Sequence, residues 1–489
     1  MQILVQRARI IALDEVEFYF DGTDMDSMEF CNPRIELEAL HSILSLVDKI
    51  LSTGNYTTMG PLRDLRDATV NMIQELGNMI GLETTVVTSY SCDKEGHLLE
   101  WGKNNGIQTK LAVAYVEGAG RGAIATEDLN VGDIALDIPI SVIISEELVQ
   151  ESDMCPILEK VNGMSSETML LLWSMRERHN RHSKFKLYFD SLPEVFNTGL
   201  SFGINAIMAL DGTLLLEEIV QAKEHLRAQY DELFPALCLE HPHIFPADLY
   251  TWEQFLWACE LWYSNSTKIM FADGKLCTCL VPVAGFLNHS LFPHIMHYGK
   301  VDAASNSLKF PLRRPCKAGE QCYLSYGKFS SSHLVTFYGF LPRGDNPYDI
   351  IPLDIDTPET GHCENGDPIS DWSNHMVRGT WLSKNHGIFH YGLPTPLLDH
   401  FRRALCPTFQ TNIHSQENLE IELQVLDDLH STFENMLETF GETNMDESES
   451  WDMKLAMEFK ALQRRIISSI VTSCNSGRKL VEQELGKWT

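Results

Sequence analysis

No run in this 489-residue chain approaches eighteen uninterrupted apolar residues, which excludes an ordinary membrane-spanning helix. Basic charge is scarce. Lys and Arg total 38 against 68 Asp and Glu, a net charge of −30. A phosphate backbone needs a basic surface, so nucleic acid is excluded as the main ligand. The acidity either draws cationic partners inward or serves solubility alone. Clustered cysteines are also missing. Of twelve, only Cys277 and Cys279 are close-set, and their spacing fits no common zinc pattern. No metal site is expected, and the thiols read as reduced and mostly buried. No internal repeat or low-complexity tract is evident. A Ser/Arg-rich, acid-poor leader is missing too, because the first residues turn acidic at Asp14, Glu15 and Glu17. A monomer in the cytoplasm or nucleus is expected, with a plastid address left open.

A hydrophobic fraction of 44% over this length fits two or three globular domains. Residues 1–90 carry two helical patterns, one from Ile35 to Leu51 that Gly54 and Asn55 stop, and one from Leu62 to Ile80. They read as a helical extension standing somewhat apart, either for packing or for binding. A β-rich zone spans about 111–145, with strands at 113–115, 123–125 and 134–139. From about 146 to 262 the pattern is helical, with helices begun by Ser165-Ser166-Glu167, running from Glu217 to Tyr230, and running from Trp252 to Trp262. A second β-rich zone covers about 276–340. Pro342 to Pro347 marks a boundary, and a Pro/Gly/Asp-rich loop reaches Asp371. From roughly Pro394 the chain is helical to the end, with a solvated acidic loop from Gly441 to Ser450. Neither β zone can stand alone, so the two complete one another around the helical block. The fold class is α+β: a split β-fold over 91–346 with an insert at 146–262, followed by a helical domain over 350–489.

Two stretches carry chemistry. Gly118-Ala119-Gly120-Arg121-Gly122 lacks the dinucleotide fingerprint and leads into a strand, not a helix N-terminus, so a pyrophosphate site is excluded. It is either a plain hairpin turn or a loop whose backbone approaches a ligand closely. Downstream, the apolar run Val281–Leu287 ends abruptly in Asn288, His289 and Ser290. Some thirty residues later a turn at Lys317–Glu320 leads through an alternating run, Gln321–Ser325, to Tyr326-Gly327. Tyr338-Gly339-Phe340 follows.

In this order and spacing, Gly120-Arg121-Gly122, Gly132-Asp133, Asn288-His289-Ser290, Tyr326-Gly327 and Tyr338-Gly339-Phe340 resemble a SET-domain methyltransferase. The helical insert and C-terminal helices narrow this to the group of Rubisco large-subunit lysine methyltransferase and actin-histidine methyltransferase. The resemblance implies S-adenosylmethionine as methyl donor. It implies that the backbone of Ala119, Gly120 and Arg121 lines the donor's methionine end. It also implies contacts from Asn288 and His289, with Tyr298 near another contact and Tyr326 at the channel where the methyl crosses. Tyr326 is the expected catalytic residue, orienting the nucleophile rather than acting as a strong base. Tyr338 either walls the same channel or packs in the core.

The chain also departs from that group. An arginine near the end of the insert that contacts the donor's carboxylate is replaced by Asn265, which can hydrogen-bond a carboxylate but brings no charge; either donor affinity is lower or Arg121 compensates. The acidic residue three before the Asn-His pair is Gly285. Lys328-Phe329-Ser330-Ser331 replaces a common pattern after Tyr-Gly. The expected activity is methylation of a lysine on a non-histone protein. Histidine methylation and a catalytically weak protein-binding scaffold are the alternatives.

Overall fold

The computed structural model describes residues 1–12, 33–53, 59–80, 84–353, 376–378, 385–411, 415–441 and 450–488. The stop at Gly54 and Asn55, most of the loop reaching Asp371, and the acidic loop between Gly441 and Ser450 lie outside them. Three helices open the chain: α1 (Gln2–Ala12), α2 (Pro33–Thr53) and α3 (Met59–Ile80). They do not stand apart. Val5, Leu40, Leu44 and Ile73 share one apolar cluster with Phe292 and Met296, just beyond His289. His41 of α2 adds a polar tie: its Nε2 bonds the Arg313 carbonyl at 2.7 Å, and Arg313 donates back to Nδ1 at 2.9 Å. Burial and the neighbouring Arg313 lower the His41 pKa to about 4, so the ring stays neutral.

Helix α4 (Asp93–Asn104) leads into β1 (Gln108–Thr109), β2 (Leu111–Val116), β3 (Gly120–Ala125) and β4 (Ile134–Pro139). The insert follows as α5 (Glu146–Gln150), α6 (Cys155–Leu158), α7 (Ser166–His179), α8 (Lys186–Ser191), α9 (Ile204–Ala209), α10 (Leu214–Glu240) and α11 (Trp252–Asn265). Ser165 and Thr251 cap α7 and α11, each accepting a bond from a first-turn amide. Helix α10 does not stop near Tyr230. It continues through Pro235, with Phe234 and Leu237 buried in the main core. Proline removes one N–H bond, and Phe234 offsets that loss by stacking on Tyr230 at 4.6 Å between ring centroids.

The chain then forms β5 (Ser266–Met270), β6 (Leu276–Leu280), β7 (Val301–Asp302) and β8 (Ser307–Pro311), before α12 (Ser331–Tyr338). The two β zones do complete one another. Strand β4 pairs antiparallel with β8 in a four-stranded sheet of order β1-β4-β8-β7. The β2–β3 and β5–β6 hairpins flank it as separate two-stranded ribbons.

The run Gln321–Ser325 is not a half-exposed alternating strand. All five residues are buried, and the run is wedged between two neighbours. On one side Cys322 donates to the Ala123 carbonyl at 2.8 Å. On the other, Leu324 donates to the Asn288 carbonyl at 2.9 Å and Ser325 to the Ile295 carbonyl at 3.0 Å. This places the glycine turn, the Asn-His segment and the tyrosine side by side.

A short antiparallel pair, β9 (Ile350–Pro352) with β10 (Met376–Arg378), precedes α13 (Thr395–Leu405), α14 (Gln416–Phe440) and α15 (Trp451–Leu485). Leu426, Phe433, Ile466 and Ile470 build a core of their own there. A fully buried Arg402–Glu422 pair spans α13 and α14. Leu455 and Phe459 of α15 pack on Phe202, Leu215 and Val335, which ties this region to the insert and to α12. Among the described residues no helix is long and apolar enough to cross a membrane.

Gly339 ends α12 with a φ of 76°, and a Cβ there would sit 1.8 Å from the Asn197 carbonyl oxygen. Gly339→Ala is expected to lower unfolding stability by about 2–5 kcal/mol, from left-handed backbone strain plus overpacking. Urea unfolding checks this; a loss below about 1 kcal/mol would show that the contact relaxes freely.

Candidate active site

A cavity of about 580 Å³ opens between the glycine turn and the Asn-His segment. Its lining includes Gly118, Ala119, Gly120, Arg121, Asn265, Asn288, His289, Tyr326 and Tyr338. The sequence-derived candidates therefore meet in one place, except Tyr298. That residue lies behind Tyr326, lining a small cavity of about 70 Å³. Its hydroxyl donates to the Ser325 carbonyl at 3.0 Å, and its ring stacks on Phe310 at 5.3 Å.

The Asn288 carboxamide faces the turn. Its Nδ2 donates to the Arg121 carbonyl at 2.9 Å and reaches the Ala119 carbonyl at 3.5 Å. Gly122 makes this approach feasible, since a Cβ there would fall 3.3 Å from Asn288 Nδ2 and 2.5 Å from Gln321 Nε2. The side chain of Asn288 thus holds the backbone that borders the cavity. The approach to Asn288 is strained. Val283, a β-branched residue, adopts a φ of 73° just before the single turn Ala284–Phe286.

His289 holds the tyrosine. Its Nδ1 accepts the Tyr326 backbone N–H at 3.1 Å, so the ring proton sits on Nε2. Burial, with Arg34 nearby, lowers its pKa to about 4, and the imidazole is neutral at physiological pH. The Tyr326 hydroxyl donates to the Leu287 carbonyl at 3.1 Å, which leaves its oxygen lone pairs as acceptors. Burial pushes the phenol pKa up, so it remains protonated at any working pH. Tyr338 stacks on Tyr326 at 5.1 Å, and its own pKa is pushed up to about 12 by burial. Tyr338 walls the site.

A second cleft, of about 910 Å³, is lined by Glu218, His225, Tyr263, Phe329, His333 and Phe337, among others. It shares only Tyr326 and Tyr338 with the first cavity. The small cavity behind Tyr326 takes lining residues from both: Asn265 and Gly285 from one side, Ser266 and Thr267 from the other.

Arg121 does not offer a spare charge. Its guanidinium pairs with Glu95 at 2.8 Å and also bonds the Ser191 carbonyl. Asn265 and Gly285, the two departures on the insert side, face each other: Asn265 Oδ1 stands 3.2 Å from where a Gly285 side chain would begin. His294, Cys316 and Cys322 form a buried trio with ligand atoms within 4.8 Å. His294 Nδ1, however, accepts the Tyr323 N–H at 3.0 Å, which puts the proton on Nε2 and leaves the ring no lone pair for an ion.

No family model matches the chain. It is 26% identical over 272 residues to the fructose-bisphosphate aldolase-lysine N-methyltransferase, chloroplastic, of Arabidopsis thaliana, covering 53% of this chain and 54% of the relative. It is 26% identical over 305 residues to the chloroplastic ribulose-1,5-bisphosphate carboxylase/oxygenase large subunit N-methyltransferase of Pisum sativum, covering 60% and 59%. To the actin-histidine N-methyltransferase of Rhinolophus ferrumequinum it is 24% identical, covering 53% and 44%. The matched stretch spans about half the length of these relatives. The structure superposes on the SET domain of LSMT bound to lysine and AdoHcy with a TM-score of 0.57 at 20% identity, covering 80% of this chain and 93% of that one. Rubisco LSMT bound to AdoMet superposes with the same score at 18% identity.

The chain has a SET fold. Within this SET fold, several cavity residues carried no sequence signal. Asn197 and Thr198 belong to a loop of the insert, and Arg343 falls in the segment Pro342–Pro347 that reads only as a boundary. Thr198 is held by Glu260, a buried carboxylate that accepts its hydroxyl at 2.6 Å and that of Ser201 at 2.7 Å. Burial raises the Glu260 pKa to about 7 from an ordinary 4.5.

A carboxyl with a raised folded-state pKa binds its proton more tightly in the fold than in the unfolded chain. Stability from this group is full below about 4.5 and is lost as pH rises towards about 7. Glu260→Gln keeps an acceptor for both hydroxyls and removes the charge. Its melting temperature relative to wild type should climb between about pH 5 and pH 8. A constant difference across that range would contradict the buried, proton-binding role.

Proposed function

We propose that this chain is an S-adenosylmethionine-dependent protein methyltransferase acting on a lysine of a non-histone protein. The observation that carries the reading is the pair of cavities that meet only at Tyr326 and Tyr338. A methyl transfer between a small donor and a macromolecular acceptor needs two separate approaches joined at a narrow point, with the reacting atoms in line. The relatives' names and the ligands of the superposed SET structures support the same chemistry.

The first cavity suits the donor. Its volume falls within the usual range for small-molecule sites, and the main chain of Ala119–Arg121 borders it. Ala119, Gly120 and Arg121, with Asn265, Asn288 and His289, would hold the donor. When bound, that donor supplies an electrophilic methyl on a sulfonium. Tyr298 supports the wall behind Tyr326.

The second cleft suits the acceptor. Tyr326, Tyr338, Phe329, His333, Phe337 and Tyr263 form a continuous aromatic wall with successive centroids 4.3–6.1 Å apart. Such a wall attracts an alkylammonium through its ring faces, and Glu218 lines the same cleft. The amine must then shed its proton to attack. Burial among aromatic rings disfavours the ammonium and lowers the lysine pKa from about 10.4. The Tyr326 oxygen, its own proton committed to Leu287, accepts an N–H from the amine and aims its lone pair. The similarity to actin-histidine methyltransferases gives the histidine reading its support.

The test uses S-[methyl-³H]adenosylmethionine with whole-cell protein, followed by hydrolysis and residue analysis. Label is expected in methyl-lysine, and Tyr326→Phe should cut incorporation by roughly 100-fold while leaving donor binding intact. Label in methylhistidine would overturn the lysine assignment. Absence of donor binding by calorimetry would overturn the enzyme reading and leave a protein-binding scaffold.

A further inference from the structure

We infer that Arg343 is the residue that recognises the carboxylate of the donor, and so sets the specificity of the first cavity for an amino-acid-bearing nucleoside. The inference rests on the methyl-donor reading above.

The cavity's composition is unlike that of the chain. The chain carries 68 Asp and Glu residues, yet among the described residues no carboxylate and no lysine lines the cavity. Its formally charged side chains are two arginines, Arg121 and Arg343. In a protein of net charge −30, a ligand carboxylate is repelled at long range and needs a local cation. The insert side provides none, since Asn265 and Gly285 face each other there and both are uncharged. Arg121 is committed to Glu95, a carboxylate only 5% exposed, and to the Ser191 carbonyl.

Arg343 is placed differently. Its guanidinium lies across the start of the glycine turn. Nη2 donates to the Glu117 carbonyl at 3.1 Å, and it would stand 2.7 Å from a Cβ at Gly118. That single bond leaves most of its five N–H donors directed elsewhere, and the residue is exposed to the cavity mouth. A planar guanidinium with donors to spare, at the Glu117-Gly118 end of the glycine turn, matches a carboxylate in two-point geometry. The segment leaves α12 at Gly339, whose left-handed backbone packs against the Asn197 carbonyl, and Gly339 to Arg343 all line the cavity.

The experiment compares two ligands by calorimetry on the full chain: S-adenosylhomocysteine, which carries the amino acid, and 5′-methylthioadenosine, which lacks it. Wild type should bind both. Arg343→Gln should weaken S-adenosylhomocysteine by roughly 10–100-fold, the scale of one charge-assisted hydrogen-bonded pair, and leave 5′-methylthioadenosine within about twofold. Arg343→Lys should recover part of the loss. Equal weakening of both ligands, or no weakening of S-adenosylhomocysteine, would overturn the assignment of Arg343 while leaving the methyl-donor reading standing. Binding of neither ligand by wild type would overturn that reading and this inference together.

Discussion

The site depends on two hydrogen bonds made by adjacent side chains. Asn288 donates to the carbonyl of Arg121, and His289 accepts the backbone N–H of Tyr326. The first ties a turn 167 residues upstream to the Asn-His segment, and the second ties a tyrosine 37 residues downstream. Neither the turn nor the run before Tyr326 belongs to the four-stranded sheet. These side-chain bonds, together with the backbone bonds from Leu324 and Ser325, fix their relative position. Each carries a chemical requirement. Asn288 must be an amide, because it donates to carbonyls. His289 must be neutral at Nδ1, and burial secures that by lowering its pKa to about 4.

Charge is arranged around this frame in layers. The chain as a whole is strongly acidic, which favours cationic ligands at long range. Among the described residues no acidic side chain lines the first cavity, and the second is walled by aromatic rings with Glu218 at its side. Tyr326 and Tyr338 stand between them as protonated phenols. The protein therefore offers a polar, cation-bearing chamber and an aromatic chamber that meet at neutral oxygens. N-terminal helices α1–α3 brace the segment after His289 through Phe292 and Met296. Helix α15 braces α12, which carries Tyr338, through Val335.

Much of this was legible in the sequence. The abrupt change from Val281–Leu287 to Asn288-His289, and the delivery of Tyr326 after a turn, mark residues whose types suit a site. The glycine turn showed by its following strand that it was no pyrophosphate cradle. Three features were not legible, for physical reasons. Helical periodicity shows that α2 has an apolar face but does not name its partner, so the packing on Phe292 and Met296 was hidden. Strand β5 follows α11 directly, with no residue between Asn265 and Ser266, so the start of the 266–280 hairpin was hidden although Asp273-Gly274 marks its turn. The commitment of Arg121 to Glu95 is a tertiary contact across 26 residues, and Arg343 enters the cavity from a segment whose Pro and Gly content reads as a linker.

Asn288 acts by clamping the glycine turn to the cavity. Hydrogen exchange of Asn288→Ala, read by mass spectrometry beside wild type, tests it most directly. Amides of 117–122 should exchange at least about tenfold faster. Those of α14 and α15 should be unchanged, and S-adenosylhomocysteine affinity should fall in parallel. Unchanged protection of the turn in a folded Asn288→Ala protein would contradict the account.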